Sequence, residues 1–127
     1  MSPDRKKTLL CALTGALLIA GCAEMLEKDL SKKNVVLVAP SNRVTEPDSA
    51  AITFAWDSVD GAKNYRLQVA MPSFDSIVSL LADTTVYGTF FTLPALDSPG
   101  QFQWRVMASN TTSSTPFSTP WTFLITK

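Results

Sequence analysis

Between residues 35 and 126 apolar and polar side chains alternate in short runs. Ile52, Phe54 and Trp56 alternate with Thr53 and Ala55; Tyr65, Leu67 and Val69 alternate with Arg66 and Gln68; Phe102, Trp104, Val106 and Ala108 alternate with Gln103, Arg105 and Met107. Successive side chains of an extended strand point to opposite faces, so each run predicts a strand with one buried and one more polar face. Four further strands are predicted over 35–38, 77–81, 89–93 and 121–126. Turn signals separate them at 40–42, 57–61, 71–73 and 97–100, and in the Ser/Thr-rich run 109–114. Pro40, Pro94, Pro99 and Pro120 fall at strand ends or turns, where a missing amide hydrogen does little harm. Seven short, regularly spaced strands without a helix-period pattern predict an all-β fold, a seven-stranded antiparallel β-sandwich.

The amino terminus follows a different pattern. Arg5, Lys6 and Lys7 precede an apolar stretch from Thr8 to Ala20, and Ile19, Ala20 and Gly21 lead into Cys22. A basic start, a short apolar run and small residues before a cysteine are the marks of a bacterial lipoprotein signal, cut just ahead of the cysteine. A membrane-spanning helix needs about 20 apolar residues, and this stretch has 13. Cys11, preceded by the bulky Leu9 and Leu10, is a poor cleavage site and leaves with the signal. The expected organisation is a signal peptide over 1–21, a lipidated tether over 22–34 and one sandwich domain over 35–127. Ala23 stands where an aspartate favours retention at the inner membrane in some bacteria, so the expected location is the outer membrane. No tight acidic cluster follows Cys22, and the side of that membrane is left open.

Composition narrows the chemistry. Three of the 11 basic and one of the 11 acidic residues lie in the signal, leaving 8 against 10 in the mature chain. That balance argues against a nucleic-acid partner, whose phosphates demand clustered Lys and Arg. The chain has no histidine, and lipidation of Cys22 leaves the mature chain no free thiol and no disulfide. Ser-His-Asp and Cys-His catalysis and the usual zinc sites are thereby excluded. The expectation is no enzyme, no catalytic residue, no metal and no cofactor. Asp57 and Asp60 could in principle face a glycosidic bond or hold calcium; turn formation before Gly61 is the better reading. Asn110, Thr111 and Thr112 spell a glycosylation acceptor that has no meaning in a bacterial lipoprotein, and residues 109–119 are expected to form a hairpin loop whose hydroxyls satisfy local backbone groups.

Aromatic side chains are the remaining means of binding, since they stack on sugar rings and anchor protein partners. Trp56, Trp104 and Trp121 fall on inward strand positions, whereas Tyr87, Phe90 and Phe117 are the candidates for ligand contact. Lys63, Arg66 and Arg105 are assigned to solvated outward positions. These residues lead to a non-enzymatic module, anchored through Cys22, that offers loops or strand edges to an envelope protein or glycan. The alternative is a structural accessory subunit of an envelope complex without a free ligand.

The chain resembles a fibronectin type III domain from residue 35 to 125, through Trp56 at the end of one strand, Tyr65 at the start of the next, and the series Leu96, Pro99, Gly100, Phe102, Trp104, Arg105, Val106, Ala108, Asn110. The resemblance implies that Trp56 packs near Phe102. That family usually has Tyr at the position of Phe102, so a corner hydrogen bond from its hydroxyl is replaced here by packing alone. The segments FAWDSVDGAKNYRLQVA and FQWRVMASN, with the lipobox and the charged tether, also look like short single-domain lipoproteins of bacteria with two membranes. The amino-terminal domains of starch-utilisation outer-membrane lipoproteins look similar around the WD and YRLQVA segments. Those proteins continue into carbohydrate-binding domains, whereas this chain is expected to hold one domain.

Overall fold

The computed structural model describes residues 27–127. They form eight strands: β1 (Leu37–Ala39), β2 (Val44–Pro47), β3 (Ile52–Trp56), β4 (Asn64–Pro72), β5 (Ile77–Val86), β6 (Phe90–Leu93), β7 (Gly100–Ser109) and β8 (Trp121–Thr126). One sheet has the order β1-β3-β6 and the other β2-β8-β7-β4-β5. The alternation sorts the side chains as expected. Ile52, Phe54 and Trp56 of β3, Tyr65, Leu67 and Val69 of β4, and Phe102, Trp104, Val106 and Ala108 of β7 are all buried in one core between the sheets.

Aromatic rings pack against one another in that core, several of them edge to face. Phe54 meets Trp104 with ring centroids 5.1 Å apart and Phe123 at 5.8 Å. Such tilted pairs place ring edges against ring faces and add to the area buried. Trp56 and Phe102 are not ring partners, contrary to the expectation. Trp56 ends β3 and packs on Tyr65, whereas Phe102 lies near the start of the antiparallel β7 and stacks on Phe123 at 5.3 Å. The two residues therefore sit toward opposite ends of the sandwich.

The strand boundaries also differ in four places. An eighth strand joins the seven expected: after β1, which answers to the strand expected over 35–38, the chain passes the cis Ala39–Pro40 peptide and Arg43, at φ 70°, then crosses to the other sheet as β2. There β2 runs parallel to β8, an exception to the all-antiparallel expectation. Met71 and Pro72 continue β4 instead of turning, and Gly100 opens β7. Finally β5 extends to Val86, beyond the run expected to end at Leu81.

The register defines two ends. Gly61, the residues just before β4 and the residues just after β7 share one end, since Asn64 pairs with Ser109; the connection from β6 to β7 lies at the other. Val86 pairs with Tyr65 and the Trp56 amide donates to the Thr89 carbonyl, so the turn at residues 87–89 belongs to the first end.

Candidate functional site

Three surface features emerge from these elements. The first is the side of the sandwich where β5 and β6, each an edge strand of its sheet, carry apolar side chains into solvent. Val78 is 81% exposed, and Ile77, Leu80 and Leu81 are also exposed along β5. Tyr87 and Phe90, in the turn after β5 and at the start of β6, are 80% and 65% exposed. Two of the three aromatic candidates thus come together on one rim. The ladder against β4 leaves β5 two extra residues. Val69 pairs with Ala82 and Ala70 with Leu80, which leaves Leu81 over; Met71 pairs with Ser79 and Pro72 with Ile77, which leaves Val78 over. Bulges of this kind twist an edge away from simple strand addition. What β5 offers at this edge is therefore its side chains.

The second feature lies on the outer face of the five-stranded sheet. The Arg105 guanidinium is held between two rings, 4.0 Å from the Phe74 centroid and 4.4 Å from that of Phe117, and its Nε donates to Gln68 Oε1 at 2.9 Å. Burial lowers the Arg105 pKa, and neighbouring Arg66 lowers it further. Arg66 makes a two-point contact with Asp83, at 2.7 and 2.8 Å, which holds the Asp83 carboxyl below its ordinary value. Arg105 is thus half-buried in a stack, not the solvated side chain expected. Phe117, the third aromatic candidate, is part of that stack and lies apart from the rim.

The third feature has no signature in the sequence pattern. Residues 27–33, expected within a tether, are seated on the end of the sandwich formed by the turn before β4 and the loop after β7. Leu30 is fully buried there, outside the main core. Asn110 is the hub: its Nδ2 donates to the Lys28 carbonyl at 2.8 Å and the Gly61 carbonyl at 3.2 Å, while its Oδ1 accepts from the Thr112 and Ser113 amides. Ser113 Oγ accepts from the Leu30 amide at 2.9 Å. Glu27 pairs with Lys63 at 2.8 Å and accepts from the Thr111 amide at 3.0 Å; Lys28 pairs with Asp60. The fit is close at Gly61, whose φ of 92° favours glycine: a Cβ there would lie 2.8 Å from the Lys28 Cβ.

The loop over 109–119 behaves as expected. Thr115 Oγ1 and Ser118 Oγ accept from the Ala108 and Val106 amides, both at 3.0 Å, so hydroxyls take the place of a neighbouring strand beside the end of β7. Asp60 is engaged by Lys28, and among the described residues no group of three or more His, Cys, Asp or Glu could hold a metal ion. An open groove of about 240 Å³ beside residues 34–37, Ser118, Thr119 and Trp121 contains no charged side chain. Cys22 and the cleavage residues Ile19, Ala20 and Gly21 lie outside the described residues.

The sandwich has counterparts among solved structures. A fibronectin type III domain from the human KIAA0970 protein superposes with a TM-score of 0.53 at 16% identity, over 72% of each chain. The fold is fibronectin type III-like. The fibronectin type III domain of human fibronectin type III domain containing protein 3 gives 0.50 at 14% identity, over 75% of this chain and 86% of that one. No family model matches the chain, and no curated protein matches it. Within this fibronectin type III-like sandwich, the ring of Phe102 is fully buried and stacks on Phe123.

Proposed function

We propose that the chain is a lipid-anchored, non-enzymatic binding module, held at the outer membrane through Cys22, that presents its sandwich to a protein partner. The observation that carries this reading is the apolar run of Ile77, Val78, Leu80 and Leu81 exposed on β5. An exposed apolar strip of this kind marks an interaction site. Its aliphatic character favours a protein over a glycan, because sugar rings stack on aromatic faces. The accessory-subunit reading rests on the same strip acting as a packing face, and a stoichiometric envelope complex would favour it.

Val78→Asp tests the proposal. The side chain is already in solvent, so stability should change by no more than about 0.5 kcal/mol. Capture of the envelope partner in a pull-down with the anchored protein should be lost. Unchanged capture, or retention on a glycan array with no protein partner, would count against it. Anchoring has its own test: a Cys22→Ser protein that still fractionates with membranes contradicts a lipid anchor.

A further inference from the structure

Resting on the anchor at Cys22, we propose that the end of the sandwich capped by residues 27–33 lies against the bilayer, with Tyr87 at the lipid interface. Only four residues separate Cys22 from Glu27. Five steps of chain span at most about 18 Å whatever their conformation. Had the segment to residue 35 been free, thirteen steps would have allowed about 45 Å. The capping contacts therefore shorten the leash by more than half.

The end so held is defined by the contacts of Glu27, Lys28 and Leu30 with Asp60, Lys63, Asn110 and Ser113. Tyr87 follows Val86, which pairs with Tyr65 one register step inside this end. It is 80% exposed, and a tyrosine combines an apolar ring with a polar tip, which suits the boundary between lipid and water. Ile77 pairs with Pro72 at the other end of the same strand. The ten residues of β5 run about 30 Å, so Ile77 and Val78 stand well clear of the surface. The loops around Asn110 face lipid and are closed to a soluble ligand, while the distal part of β5 faces outward.

The test places a nitroxide at Gly88→Cys, where a side chain meets open space, or at Ser98→Cys near the opposite end. Full-length lipidated protein is reconstituted in phosphatidylcholine and phosphatidylglycerol vesicles carrying a nickel-chelating lipid. Nickel should relax the label at position 88 and leave that at 98 unaffected. Equal relaxation in vesicle-bound protein overturns the orientation while leaving the anchor intact; failure of the native protein to sediment with vesicles overturns both. Leu30→Ser should abolish the contrast between the two labels, and a contrast that persists shows that the cap does not orient the domain. Hydrogen exchange on the Cys22→Ser protein reads the cap without a membrane: unprotected Leu30 and Thr111 amides overturn the proposal.

Discussion

Tyr65 has a second task beyond filling the core beside Trp56. Its hydroxyl accepts from the Val59 amide at 2.9 Å, closing the turn that leads to Gly61. Tyr65→Phe keeps the ring and removes the acceptor. The loss expected is about 1 kcal/mol, the usual net worth of such a bond, read by urea denaturation. Arg105 offers a sharper contrast between charge and shape. The guanidinium carbon is within 4.4 Å of the ring centroids of both Phe74 and Phe117, and a planar guanidinium can stack on an aromatic ring where an ammonium cannot. Arg105→Lys keeps the charge and should still cost about 1 kcal/mol. If the two proteins unfold at the same urea concentration, the stack contributes nothing. Neither role could be read from spacing. The alternation places Arg105 outward correctly, but Phe74 and Phe117 reach it from segments outside the regular strands.

Strands announce themselves in the sequence when both faces have a definite environment. β3 and β7 alternate cleanly because one face is core and the other is sheet surface, whereas β4 alternates only as far as Leu67, after which Gln68 is buried along with Val69 and Ala70. β2 does not: its Val44, Thr45, Glu46 and Pro47 are half-buried or exposed, and only pairing with β8 makes them a strand. The polar second half of β5 is hidden for a similar reason, since Asp83 and Thr85 look outward along an edge. Tyr87 and Phe90 are legible as exposed aromatics, whereas the exposure of Val78 follows from β5 being an edge, a property of topology. Leu30 is hidden among charged neighbours in a segment too short to show any period. The cap it anchors is electrostatic as well as apolar, and this gives the segment a pH dependence. The Glu27 carboxyl is held below its ordinary 4.5 chiefly by the Lys63 hydrogen bond and then that from Thr111. Asp60 is held below 3.8 chiefly by Lys28. A lowered pKa in the folded chain means that the stabilisation is complete above the ordinary value and disappears as pH falls through the lowered one. The amide resonances of Leu30 and Thr111 should therefore hold steady from pH 7 to about 5 and move only in more acidic solution. A shift centred near neutrality would contradict the assignment.

At the scale of the molecule, the core cluster contains no residue before Val35. Removal of residues 22–34 should leave a β-sheet circular dichroism spectrum and a single cooperative transition. Stability should fall by about 2–3 kcal/mol, the worth of one fully buried leucine. Loss of the folded spectrum would mean that the cap is part of the folding unit. The parallel pairing of β2 with β8 has a mechanical meaning. The chain enters at the capped end and both strands run away from it, so Glu27 and Thr126 lie at opposite ends of the sandwich. A pull between them loads the four β2–β8 pairs together in shear, rather than unzipping them singly.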